Sequence, residues 1–199
     1  DVIVSGSQKA FMLPTGLSFI SLSKKAWQAN AGVKNPGFYF DLRGEKKSLE
    51  KGETHFSSVV PLIRALDVVL DELIDTNLEK TIARSKKLAE VTRLAGEKLG
   101  FKVYSKSPAN SVTALLTPAG VDGAKIRDHL ESEYNITVMG GQDQLKGKII
   151  RIGHLGYITD DDMVATFECL ALTLRDLGVP VTEQKVAEIA AFVKTQLSL

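Results

Sequence analysis

Lys9 and Arg151 stand out for the chemistry they could perform. Lys9 follows the apolar run DVIV and the small-residue turn Ser5-Gly6-Ser7-Gln8. A lysine held on such a turn becomes a nucleophile when a rigid, partly desolvated site depresses its pKa, and its commonest covalent role is a Schiff base with a carbonyl compound. Ser5, Gly6, Ser7 and Gln8 offer hydroxyls, close backbone approach and an amide donor suited to a phosphate. A lysine after a turn is also an ordinary solvated surface residue, and the residues alone leave both readings open. Arg151 lies in KIIRIGHLG. Its planar guanidinium can grip a carboxylate bidentately and so orient an α-amino acid, or it can pair with an acid on an edge strand.

The other reactive types carry less. His154 follows Arg151 by three residues and reads either as pocket lining or as a structural hydrogen-bonder. Cys169 lies within VATFECLALTL, on an apolar helical face, where a free thiol behaves as a small hydrophobe. With one cysteine and three histidines in the chain, and no pair at a metal-ligand spacing, neither a disulfide framework nor an internal metal centre has support. The acids Asp160 to Asp162 resemble a metal site by charge only; after Thr159 they read as a helix start, facing the positive end of its dipole.

The elements that must position these residues follow from periodicity. Residues 1–4 and 17–22 read as buried strands, 24–31 as a short helix, and FYFDL at 38–42 as a further extended piece whose alternating aromatics pack. The polar RGEKKSLEKGE reads as a solvated loop. From Ser58, Val59, Leu62, Ile63, Leu66, Val69, Leu70 and Leu73 recur at helical steps and predict a core-facing helix. A second helix over about 78–98 ends at Gly100, and the two are expected to form one long or kinked helix linking domains. Beyond it, FKVYS, SVTALLTP, DGAKIRDHLESEY, ITVMGG and KIIRIGHLG alternate as strand, strand, helix, strand, strand. That order predicts a small α+β sandwich with an antiparallel sheet. A helix from Thr159 to about Leu177 and a last one opened by Thr182 complete it.

Composition bounds the rest. The 199 residues carry Lys+Arg 25 against Asp+Glu 24, a net charge of +1, with 44% hydrophobic residues. That is chain enough for one large domain or two small ones, with no basic stripe for nucleic acid and no surface suited to an anionic membrane. No apolar run approaches the roughly 20 residues of a membrane span, and no signal peptide opens the chain. The expected setting is the cytoplasm. Asp1 opens directly into a strand, which suggests a start within a domain.

The string SGSQKA after an Asp-led apolar strand resembles the cofactor-lysine segment of the class V aminotransferases. LPTGLSFISLS, NPGFYFDL, GETHFSSVVPLIRALDVVL and KIIRIGHLGY follow in that family's order, so the resemblance covers essentially the whole chain. The nearest subgroup is the one labelled the small subunit of a soluble hydrogenase, beside the serine/alanine-glyoxylate and serine-pyruvate aminotransferases. The resemblance implies an α/β, fold type I pyridoxal-phosphate transferase. Residues 1–76 would be the C-terminal part of the large cofactor domain with the start of the linking helix, and 77–199 the small C-terminal α+β domain. It implies Lys9 as the Schiff-base lysine, Gln8 as a phosphate contact, Thr54 as a hydroxyl reaching the phosphate of the neighbouring subunit, hence a homodimer, and Arg151 as the grip on the substrate carboxylate. Some relatives have an aromatic hydroxyl three residues before Thr54; here Lys51 stands there.

The implied reaction is transamination of alanine or serine with glyoxylate or pyruvate. The family's pyridine-facing Asp, its phosphate-cradling glycine turn and its ring-stacking aromatic lie upstream of the lysine segment, so this chain is expected to be the C-terminal part of such an enzyme. A non-catalytic structural or partner subunit, or a proteolytic fragment, is the alternative. Hydrogen activation, which needs cysteine-held metal, is disfavoured by the lone Cys169, and so is desulfurase chemistry, which needs a thiol on a mobile loop.

Overall fold

The computed structural model describes residues 1–75 and 77–198. It divides into two compact units, Asp1–Asp75 and Thr76–Leu199. The boundary expected at residue 76 falls on a position outside the described residues.

The first unit begins with an antiparallel pair, β1 (Val2–Gly6) and β2 (Ser18–Leu22), in the register Val2 opposite Leu22 and Gly6 opposite Ser18. The Ser23 hydroxyl accepts from the Ala26 amide and starts α1 (Lys24–Ala31). The Asp41 carboxylate accepts from the Arg43 amide and starts α2 (Leu42–Leu49). Helix α3 (Val60–Asp75) closes the unit.

Three expectations are corrected here. FYFDL is a bend and turn rather than a strand, and Phe38, Tyr39 and Phe40 are exposed, packed edge-on or tilted among themselves and Phe56 instead of in a core. The Asp41 cap, reinforced by the Arg43 guanidinium folding back onto it at 2.8 Å, turns the next eight residues into α2 where a loop was expected. The apolar faces of β1 and α3 are not buried among the described residues: Ile3 is 70% exposed, Ile63 and Leu70 on the α3 stripe 39% and 38%, and no residue of α3 is fully buried. Periodicity identified the apolar face of α3 correctly; it said nothing of what covers it.

The second unit matches its expected plan closely. Asn77 caps α4 (Leu78–Lys98), so α3 and α4 are separate helices rather than one. Helix α4 ends where Gly100, at φ 88°, lets the Phe101 amide reach back to the Gly96 carbonyl. There follow β3 (Lys102–Val103), β4 (Val112–Leu116), α5 (Gly123–Tyr134), β5 (Met139–Gly140), β6 (Ile149–Gly153), α6 (Asp160–Asp176) and α7 (Glu183–Leu197). The four strands form an antiparallel sheet in the order β3-β4-β6-β5. Ile150 pairs with Leu115 on one side and Gly140 on the other, and Arg151 with Ala114 and Met139. Cross-strand partners share a face, so Leu115, Ile150 and Gly140 lie on one side of the sheet and Arg151 with Met139 on the other. The first side meets α4 and α5 and belongs to a core that includes Leu88, Ile126, Ile150, Phe167, Leu170 and Ile189.

Thr159 and Asp162 form a full capping box at the start of α6: the hydroxyl accepts from the Asp162 amide while the carboxylate accepts from the Thr159 amide. The acids at 160–162 are thus a helix start. Cys169 sits half-buried at the edge of the core, and burial raises its thiol pKa, which keeps it in the unreactive form. No helix of the described residues is long and apolar enough to cross a membrane.

Candidate functional site

Gln8 and Lys9 lie on one turn, and Ser7 holds that turn closed. Ser7 is fully buried. Its hydroxyl donates to the Pro14 carbonyl at 2.7 Å and accepts from the Leu17 amide at 3.2 Å. Its own amide donates to the Leu17 carbonyl, and its carbonyl accepts from the Leu13 amide, each at 3.1 Å. These four bonds tie the neck of a loop from which Gln8, Lys9 and Ala10 stand exposed. Within the loop Met12 takes a positive φ of 55° and donates its amide to the Lys9 carbonyl at 3.0 Å. The Gln8 side chain folds back over Gly6, where an added Cβ would lie 2.7 Å from its Oε1. Only glycine leaves room there for the Gln8 side chain, and Gln8 and Lys9 are both exposed on the turn.

Thr54 is brought elsewhere. It lines an apolar groove of about 470 Å³ with Ser18, Phe19, Ile20, Trp27 and Lys46, and that groove includes neither Gln8 nor Lys9. The Lys46 ammonium sits 4.9 Å above the Trp27 ring. Lys51 and Thr54 are both exposed around Gly52, which has a φ of 73°.

In the second unit, Arg151 is half-buried on β6, and its Nε donates to the Gly140 carbonyl at 2.8 Å. Among the described residues, no ion pair or hydrogen bond takes up its two terminal nitrogens. The arrangement can receive a planar two-oxygen anion at that edge. His154 points away from this edge. It lies on the core side with Ile150 and Ile152, 1% exposed, its amide bonded to the Ser111 carbonyl and its Nε2 2.9 Å from the Thr113 hydroxyl. Burial first, and the Arg93 guanidinium second, lower its pKa to about 4. His154 is the structural hydrogen-bonder of its two readings.

The sequence reading passed over Gly140 and Arg127. An added Cβ at Gly140 would stand 3.0 Å from Arg127 Nη1 and 3.3 Å from its Cδ. The paired glycines in MGGQ are the only sequence signal of this close approach, and a glycine pair after a strand reads equally as a turn.

No family model matches the chain. The chain is 40% identical over 190 residues to an uncharacterized aminotransferase of Methanocaldococcus jannaschii, covering 94% of this chain and 49% of that protein. It is 36% identical over 190 residues to a serine–glyoxylate aminotransferase of Methylorubrum extorquens, covering 92% and 47%. An alanine–glyoxylate aminotransferase structure from Nostoc superposes with a TM-score of 0.82 at 25% identity, over 88% of this chain and 48% of that one. The chain thus spans about half the length of the curated relatives it matches.

Proposed function

We infer, for a chain that belongs to the class V aminotransferases, that its residues form part of a site where pyridoxal phosphate transfers an amino group from a small amino acid to a 2-oxo acid. The fold is the corresponding part of a fold type I enzyme, and aminotransferases of this type use pyridoxal phosphate. The observation that carries the reading is the Ser7-tied turn, which presents Lys9 and Gln8 side by side.

The residues fit the group. The Gln8 amide, folded over Gly6, and the Lys9 amine put a phosphate donor and a carbonyl-reactive nitrogen on one turn. Bound there, pyridoxal phosphate supplies an electron sink for the charge left on an amino acid's α-carbon. Lys9 holds the group and, once released, takes and returns the proton at that α-carbon. Gln8 donates to the phosphate. Thr54 donates to the phosphate of a second copy, a role consistent with its lying off the Lys9 turn, and this makes a homodimer with shared sites. Arg151 fixes the amino acid by its carboxylate, through the edge that no group among the described residues occupies.

The substrates we propose are alanine or serine with glyoxylate or pyruvate, supported by the serine–glyoxylate and alanine–glyoxylate relatives. Residues 1–76 belong to the cofactor domain and 77–199 to the small domain in this reading. The group facing the pyridine nitrogen comes from polypeptide outside this sequence. Borohydride reduction of the native protein with its cofactor, followed by peptide mapping, is expected to leave the phosphopyridoxyl group on Lys9. The group on another lysine would overturn the assignment. Intact mass of the same preparation identifies any accompanying polypeptide. A preparation that carries no cofactor and transfers no amino group from alanine or serine would favour the structural subunit.

A further inference from the structure

We propose that the Gly140 carbonyl is the positioning group for Arg151, and that Arg127 holds that carbonyl in place from the opposite face of the sheet. The proposal rests on the reading of Arg151 as the carboxylate grip. A guanidinium has two edges that can take a carboxylate bidentately, one through Nη1 and Nη2 and one through Nε and an Nη. Donation from Nε to Gly140 at 2.8 Å removes the second. It also restricts the guanidinium plane, which must contain the Nε–H direction toward Gly140. An amino acid carboxylate can then enter only end-on, between Nη1 and Nη2.

The carbonyl that imposes this is itself tightly set. β5 is a two-residue edge strand, with Met139 opposite Arg151 and Gly140 opposite Ile150. A strand so short has little ladder of its own to hold it. Arg127, half-buried on α5, packs where a Gly140 side chain would be, on the side that Gly140 shares with Ile150 and Leu115. Gly141 passes so close to the Leu145 carbonyl that an added Cβ would clash with it, so the chain just after Gly140 has little room to shift. The β5 backbone is therefore clasped between Arg127 on the helical face and the Arg151 side chain, which leaves β6 on the other face. Any side chain at 140 must push Arg127 aside or lift β5, and either movement turns the plane in which Arg151 offers its free edge.

The test is the Nε–H signal of Arg151 in the 15N-labelled chain, assigned by its loss in Arg151→Lys. It is expected to exchange with water at least about tenfold more slowly than that of the exposed Arg64. Arg127→Ala and Gly140→Ala should each remove most of that difference, and Gly140→Val all of it, with the amide signals of α6 and α7 unmoved to show that the fold persists. An Arg151 Nε–H that exchanges as fast as Arg64, or protection unchanged in both Arg127→Ala and Gly140→Ala, would overturn the proposal. In the complete enzyme, Gly140→Ala should raise KM for the amino acid several-fold with kcat retained. Arg151→Lys with unaltered KM alongside a protected Nε–H in the parent would instead sink the carboxylate reading, so the two failures are distinguishable.

Discussion

The Ser7 hydroxyl accepts a hydrogen bond from the Leu17 amide across ten residues, and this contact closes the loop that displays Lys9. Ser7→Ala leaves the Leu17 amide and the Pro14 carbonyl without their side-chain partner in a buried neck. The loss should be about 1–3 kcal/mol of local stability. Amide exchange at Leu13 and Leu17 should speed by one to two orders of magnitude while α6 and α7 are unaffected. Unchanged exchange at both positions would mean that the loop is held by something other than this hydroxyl.

His154 makes the second unit acid-sensitive. Its folded pKa, about 4, lies below the ordinary 6.5 of the unfolded chain. Above 6.5 both states are neutral and the full stability is present. As pH falls the unfolded chain takes the proton first, so stability is lost between about 6.5 and 4. The loss at pH 4.5 is of the order of 2–3 kcal/mol. Urea unfolding read at α6 and α7 at pH 7 and 4.5 should show a larger drop for the parent than for His154→Gln. Equal drops would show that the imidazole is not the source.

Gly96→Ala should destabilise the protein despite alanine's advantage of about 1 kcal/mol in a helix interior. The new Cβ would stand 2.9 Å from Cδ1 of Leu115, a side chain with no exposed surface and therefore no free space to move into. Overpacking of this kind costs about 1–3 kcal/mol, so the net change is a loss of roughly 1 kcal/mol. A higher urea midpoint in the variant would show that Leu115 can rotate away.

Thr159→Ala removes the hydroxyl half of the capping box at α6, leaving the residue-159 amide still donating to the Asp162 carboxylate, and should cost about 1 kcal/mol. Thr159→Ser should restore most of it. The expected signature is faster exchange at the Asp162 and Met163 amides, with α7 untouched. A serine variant as unstable as the alanine one would assign the effect to the methyl group rather than the cap.

The second unit was largely legible because its signals are local and complete. Thr159 with Asp162 and Thr182 with the Lys185 amide are caps written in adjacent residues, and Ile150 and Ile152 alternate with Arg151 as a one-sided strand must. The first unit was less so. The helix over 60–75 was readable from its stripe, but apolar spacing reports a face and not its cover, so the burial of Ile3, and of Ile63 and Leu70 on that stripe, was misjudged. Composition misjudged α2, since a polar run can be helical when a residue such as Asp41 caps it. Of the site, Lys9 and Arg151 were visible by type. The Ser7 neck and the Gly140 carbonyl were not, because each depends on a backbone partner brought close only by the fold.

The two-sided character of β6 also shapes how this protein can change. Ile150 and Ile152 face the core, while Arg151 between them faces away from it. In a scan of every substitution from 150 to 152, abundance in the cell should fall at the two isoleucines and hold at the arginine. Under the proposed role of Arg151, selection on turnover would fall at all three. One short strand would then divide heritable variation into two kinds, the first acting on how much protein survives and the second on what the surviving protein can accept.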